Sequence, residues 1–391
     1  MNILFYTSFD AAPQKGGTER ITISVSNALR ALHGHKCFLM YSVDVHNLTP
    51  AFFDGRAKLS KGNEIEQISK CLKSFSIDVV IVQGALELVC FFRNAIESTC
   101  QAKLFFVHHF APGWEVQFFS FYNRIKRFKN ATTASKKAVE FIRLCAHPLC
   151  LYKQKRSLAK QYANAYYNSD KVVLLSPDFA PEFKNFGSIS DSSKFEFIPN
   201  MLSYDVESTK QSFAKEKIVL IVSRLDEVQK RISVALDIWK MAKKNTISQG
   251  WKLLVIGTGD DELRYKKKVK RENINDVTFL GSQNPQKYYE SAAIFLMTSK
   301  SEGWGLTLTE AQQFGTVPIA FNSYASLHDI ITNGEDGVVI PEKNVALYTK
   351  HLLNLMKDEK LRKKMSSTAQ NKARNFSAQA IANLWNLVIS K

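Results

Sequence analysis

A chain of 391 residues that is 45% hydrophobic and 12% aromatic is too long for one ordinary core and apolar enough to bury two, which excludes a disordered chain and a small stapled scaffold. Its 53 Lys and Arg against 36 Asp and Glu leave +17 at pH 7, so its partners are expected to be anionic. No apolar run approaches the roughly 20 residues of a membrane span, and "MNILFYTSFD" lacks the basic start of a secretory leader.

In chain order, the first half alternates short apolar runs with amphipathic stretches: "NILFYTS", a helix from Glu19 to Leu32, "CFLMYS", a helix near 63–75, "IDVVIVQ", a helix near 85–99, and "KLFFVHH". Apolar runs of four to eight residues separated by helical lengths predict a buried parallel sheet with crossover helices. From Trp114 to Tyr167 the pattern becomes one long helical region rich in Phe, Tyr, Lys and Arg, after which "KVVLLS" and "KFEFIPN" close the domain. The polar segment "MLSYDVESTKQSFAKEK" suits a linker.

The second half repeats the alternation with "KIVLIVSR", a helix near 232–245, "WKLLVIG", a basic helix through 260–272, "VTFLG", a short helix at 286–292, "AIFLMTS", a helix from about 306, "VPIAF" and "GVVIP". The reading is two doubly wound α/β domains facing across a cleft, 1–203 and 204–375, with a C-terminal helix over 376–391 that packs back on the first. Cys37, Cys71, Cys90, Cys100, Cys145 and Cys150 show no CxxC and no histidine at ligand spacing, which reads as reduced thiols in a cytoplasmic protein.

Ligands of such sheets bind beyond the carboxyl ends of the strands, and four motifs fall there. "GGTER" at 16–20 brings backbone close to a ligand at a helix start, or is simply a flexible capped loop. "SRLDEVQKR" at 223–231 offers Arg224 and Lys230 to a diphosphate, or is a solvated basic loop. "GTGDDE" at 257–262 lacks the third glycine of a dinucleotide fingerprint and reads as a tight turn. "SEGWGLTLTEA" at 301–311 opens the amides of Gly303, Trp304, Gly305 and Leu306 to an anion, with Glu302 and Glu310 on either side as acceptors for hydroxyls. Hydroxyls, a diphosphate and more hydroxyls describe a nucleoside diphosphate sugar.

With these four motifs in this order, the chain resembles the retaining glycosyltransferases of the GT-B fold, family 4, which includes bacterial capsule, O-antigen and lipid-linked oligosaccharide enzymes. The resemblance spans nearly the whole chain, and the spacing of Glu302 to Glu310 is its most specific part. It implies that Glu302 binds hydroxyls of the donor sugar and Glu310 the ribose, that Arg224 and Lys230 hold the diphosphate, and that Gly16 and Gly17 border donor phosphate and acceptor, with Glu19 beside them. Gly257 and Gly259 count with the donor site. "FFVHHFAPGWE" matches the family's strand followed by a histidine at the reacting sugar; His109 fits the spacing to Pro112 better than His108. Arg224 to Lys230 is one residue longer than the commonest spacing, which leaves Arg231 as the alternative second cation.

No Asp-x-Asp stands at a strand end, so the expectation is a metal-independent hexosyltransferase with no bound cofactor and a nucleotide diphosphate sugar, by guess a UDP-sugar, as donor. Between Lys103 and Lys160 twelve Lys or Arg face two acids, a local +10. Trp114, Phe118, Phe119, Phe121 and Tyr122 beside Arg124, Lys126, Arg127 and Lys129 read as an interfacial segment on an anionic membrane, where a polyprenyl-linked acceptor sits. Solvated helices are the plain alternative, and no recognised module supports nucleic-acid binding. The competing functions are a basic membrane- or nucleic-acid-binding protein without catalysis, and another GT-B enzyme such as an epimerase or a phosphorylase needing pyridoxal phosphate. Neither the sugar, the acceptor nor the oligomeric state is legible.

Overall fold

The computed structural model describes residues 1–12, 16–46, 49–205 and 214–391, apart from the side chains of Phe118 and Tyr122. Much of the expected linker, 206–213, therefore lies outside the described residues. Met1–Ile198 with Leu387–Lys391 form one unit, and Pro199–Asn386 a second.

The first unit runs β1 (Asn2–Phe9), α1 (Gly17–His33), β2 (Lys36–Val43), β3 (Gly55–Lys58), α2 (Glu64–Ser74), β4 (Val79–Gln83), α3 (Val89–Glu97), β5 (Lys103–His108), α4 (Phe121–Asn130), α5 (Ala134–Cys145), α6 (His147–Asn168), β6 (Lys171–Leu174), α7 (Phe179–Gly187) and β7 (Phe195–Phe197). Its strands lie in the order β3-β2-β1-β4-β5-β6-β7, parallel at every pairing. All five residues of β4, "VVIVQ", are buried, as a strand covered by helices on both faces requires. The helical region after Trp114 is broken into pieces. The Thr133 hydroxyl accepts the Lys136 amide at 3.3 Å to start α5, and Pro148 sits in the first turn of α6, where its missing N–H costs nothing.

The second unit runs β8 (Glu216–Val222), α8 (Ile232–Ala242), β9 (Lys252–Ile256), α9 (Glu262–Arg271), β10 (Val277–Gly281), α10 (Gln286–Ser291), β11 (Ala292–Met297), α11 (Leu306–Gln313), β12 (Val317–Asn322), α12 (Leu327–Ile330), β13 (Val338–Pro341), α13 (Val345–Lys357) and α14 (Glu359–Ala373), and α15 (Ala378–Ser390) starts in it and ends in the first unit. The order is β10-β9-β8-β11-β12-β13, again parallel throughout. Leu220, Leu253, Ile294 and Ile319 are fully buried, each contributing about 1.5–3 kcal/mol relative to an exposed position.

Strand order places the sites. From β8 the chain builds outward through β9 and β10, then returns to lay β11 on the other side of β8. The turns that leave β8 and β11 therefore flank the switch point of the second sheet, where a crevice opens beyond the strand ends. In the first sheet β1 and β4 stand in the same relation.

Candidate active site

The turn after β8 is held by the turn after β9. Ser223 and Leu225 donate their amides to Ile256 O at 3.0 Å and Thr258 O at 2.9 Å, and Asp261 donates back to Leu225 O at 3.2 Å. The two backbones cross so closely that a Cβ on Gly257, at φ +127°, would lie 1.9 Å from Ser223 O, and one on Gly259 2.3 Å from Leu225 O. Only glycine permits that approach. The glycines of "GTGD" thus act as the bed on which the Arg224 segment rests.

Within the turn, Asp226 Oδ1 accepts from Gln229 N at 2.9 Å and Asp226 O from Lys230 N at 2.9 Å, which folds 226–230 over and carries Lys230 back toward the strand ends. Gln229 then ties this turn to the one after β11. Its carbonyl accepts from Lys300 N at 2.7 Å, its Nε2 donates to Ser301 O at 3.1 Å, and its Oε1 accepts from Arg224 Nη2 at 3.0 Å. Lys230 Nζ lies 2.5 Å from Glu302 Oε1, with both side chains mostly buried. The exposed Arg224 and the mostly buried Lys230 and Glu302 therefore meet beyond the carboxyl ends of β8 and β11.

Geometry separates the two candidates for second cation. Arg231 donates from Nε to Thr298 O at 2.9 Å, from Nη2 to Ser299 O at 2.9 Å and from Nη1 to Glu342 Oε1 at 3.0 Å. Its fork is committed to the end of β11. Lys230 faces Glu302 instead.

Beyond Glu302 the chain turns through Gly303, whose carbonyl accepts from Ser326 Oγ at 2.9 Å, and through Gly305 at φ +95°, which caps α11. Trp304 is 2% exposed and meets the Phe376 ring edge-on at 5.2 Å. Glu310 is 1% exposed, and its oxygens accept from Ser203 Oγ at 2.6 Å and Tyr289 OH at 2.8 Å. These two donors orient Glu310. Sequence reasoning missed Gln229, Ser203 and Tyr289. It also missed Lys215, whose Nζ donates to Tyr289 O, Glu290 O, Phe314 O and Thr316 Oγ1 at 2.7–3.1 Å, tying the ends of α10 and α11 together. Burial pulls this amine down to about 7.

In the first unit, Gly16 is the extended cap of α1, and a Cβ there would lie 2.7 Å from Glu19 Oε2; Gly17 opens the helix and Glu19 is buried. His108 donates from Nδ1 to Phe110 O at 2.8 Å and lies 2.9 Å from Tyr162 OH, which accepts from Gly113 N and donates to Glu115. His109 donates from Nε2 to Gln83 Oε1 at the end of β4, and burial, aided by His108, pushes it down to about 3, leaving a neutral imidazole.

The expected interfacial segment is corrected at Arg124. It is 3% exposed and donates to Gln154 Oε1 on α6 at 3.2 Å, so it braces the helical layer instead of flanking it. Trp114 and Phe119 are half-buried, the former stacked on Phe110 at 4.0 Å; Lys126 is half-buried, and Arg127 and Lys129 are exposed. Phe118 and Tyr122 have side chains outside the described residues. No helix among the described residues is long and apolar enough to cross a membrane.

Two parallel α/β sheets in this arrangement have the architecture of the GT-B fold. The model of the family glycosyl transferases group 1 matches residues 205–372, which lie in the second unit. The chain is 28% identical over 255 residues to the amylovoran biosynthesis glycosyltransferase AmsD of Erwinia amylovora, covering 63% of this chain and 70% of that one. It is 25% identical over 271 residues, 68% of this chain and 67% of the relative, to a Campylobacter jejuni alpha-1,4-N-acetyl-D-galactosaminyltransferase named for an undecaprenol-PP-linked substrate. Anabaena HepE, solved in complex with UDP, superposes with a TM-score of 0.73 at 15% identity, over 100% of both chains.

Proposed function

We propose that this enzyme moves a hexose or N-acetylhexosamine, with retention of configuration and without a metal, from a UDP-sugar to a glycan or polyprenyl-linked acceptor in surface polysaccharide synthesis. The observation that carries the reading is the grouping of Arg224, Lys230, Glu302 and the start of α11 at one switch point. In this reading Arg224 and Lys230 take the diphosphate, together with the amides from Gly303 to Leu306. Negative charge grows on the diphosphate as the glycosidic bond breaks, and preorganised cations and amides stabilise it more in the transition state than before it. No enzymic nucleophile is needed. The departing phosphate oxygen takes the acceptor's proton as the acceptor attacks the same face.

Glu302 would accept from sugar hydroxyls and Glu310 from the ribose, Lys230 leaving Glu302 for the diphosphate as the sugar hydroxyls replace it. The first unit, with Gly16, Gly17, Glu19 and the neutral His109, would serve the acceptor; His108 is held in its own network. The Campylobacter relative is named for an alpha linkage and an undecaprenol-PP substrate, and an alpha product is what retention from an α-linked nucleotide sugar gives. A lipid-linked acceptor places the enzyme on the inner face of the plasma membrane. A transfer and hydrolysis screen across nucleotide sugars, with calorimetric titration of UDP and GDP, tests the reading. Weak binding of both diphosphates without base preference, and no sugar released, would reduce the chain to a binder of polyanions.

A further inference from the structure

The least buried helix in the described chain is also among its most apolar at the surface. No residue of α5 is buried, and only Glu140 and Leu144 are even half-buried. Val139, Phe141 and Ile142 on it are 46%, 54% and 65% exposed, and after a single linking residue α6 adds Leu149 at 61% and Tyr152 at 62%. Val139 and Ile142 share one face of α5, as Leu149 and Tyr152 share one face of α6, because residues three apart lie on the same side of a helix. Lys153 and Arg156 continue that face of α6, Arg143 borders that of α5, and all three are exposed.

A helix of 12 residues is marginal in water, and most helices in proteins gain their stability by burying an apolar face. Here α5 buries none. Apolar side chains exposed on two consecutive helices, with exposed cations on the same helices, mark a surface that meets something. The charge says what. From Phe121 to Lys160 eleven Lys or Arg stand against Glu140 alone, so an acidic apolar surface is the complement. A nucleic acid backbone would satisfy the cations and leave Ile142 and Leu149 in water, whereas an anionic bilayer takes both, apolar side chains below the headgroups and ammonium and guanidinium groups among the phosphates.

We infer that the α5–α6 elbow is the element by which this chain docks on an anionic lipid bilayer. The inference rests on the membrane-facing part of the proposed function and specifies the surface that does it. In the earlier segment Arg124 is turned inward and Trp114 is packed on Phe110, which leaves Phe121, Arg127 and Lys129 as its exposed apolar and basic side chains.

The test is flotation of the full chain with vesicles of phosphatidylcholine alone or with one third phosphatidylglycerol, at low and high salt, for wild type and for I142E and L149E. Both substituted positions are well exposed, so folding is not at stake. Wild type is expected to float at least tenfold better with phosphatidylglycerol, to lose most of that at high salt, and each variant to lose at least tenfold while binding UDP as wild type does. Equal flotation of wild type and variants, or of wild type on both vesicle types, overturns the inference. So does a dimer in lipid-free solution that the same substitutions split, which assigns the face to a second copy. Failure of every protein to bind UDP, with flotation as expected, sinks the nucleotide-sugar reading and leaves the docking surface standing.

Discussion

Lys230 Nζ stands 2.5 Å from Glu302 Oε1, so the cation and the carboxylate assigned to two different parts of the donor are each other's partner before it arrives. Binding then has to divide them. Glu302→Gln should keep UDP affinity within about threefold, since Lys230 is set free, while transfer falls at least ~10²-fold, about 2.7 kcal/mol of barrier. Lys230→Ala should weaken UDP itself tenfold or more, about 1.4 kcal/mol. Calorimetry and a transfer assay on both variants check this; loss of UDP affinity in Glu302→Gln would put that carboxylate in the wrong role.

Gly257 lets the Ser223 carbonyl pass where a Cβ would clash with it at 1.9 Å. Gly257→Ala should cost about 3 kcal/mol in chemical denaturation, from an unfavourable backbone and a displaced turn together. Because the displaced turn carries Arg224, UDP should bind more weakly in whatever fraction folds. An unchanged unfolding midpoint would mean that the crossing of the two turns is looser than described.

Lys215 donates to four oxygens at the ends of α10 and α11. Lys215→Met leaves them without that donor in a buried place and should cost at least about 3 kcal/mol. Tyr289 and Glu310 lie on the two helices so joined, so turnover should drop beyond the loss of folded protein. Turnover per folded molecule equal to wild type would limit Lys215 to stability.

The neutral, buried His109 makes an acid sensor of stability. Its folded-state value near 3 lies below the roughly 6.5 of an exposed histidine, so between these the unfolded chain holds a proton that the folded chain does not. That contribution is complete above about pH 6.5 and drains away as pH falls toward 3. His109→Asn should flatten the decline relative to wild type in thermal unfolding at graded pH. Parallel curves for the two proteins would show that His109 is protonated in the fold.

The diphosphate is assigned to Arg224, Lys230 and amides, so excess EDTA should leave the transfer rate within twofold. A rate abolished by chelator and restored by magnesium would overturn that assignment.

The two sheets were legible because a strand buried on both faces cannot avoid being an unbroken apolar run, as "VVIV" and "IFLM" are. Strand β3 escaped notice: "GRAK" is a four-residue edge with no buried position, and an edge needs little apolar surface. The site's ingredients were legible as motif order, but their partners were not. Arg231 and Lys230 are adjacent bases in sequence, and what separates them is a set of acceptors at Thr298, Ser299 and Glu342 that only the folded sheet brings near. Arg124 looked like a surface base because Gln154, the group that holds it inside, lies 30 positions away.

Gln229 and Arg231 fasten the turn after β8 to the backbone of the turn after β11, residue by residue. In the proposed reading, donor preference is therefore not a property of either segment taken singly. An engineer who grafts 298–305 from a related enzyme must bring 223–231 with it; a chimera carrying one alone would present a glutamine and a guanidinium to carbonyls that have moved, and its new specificity would be lost with its old one.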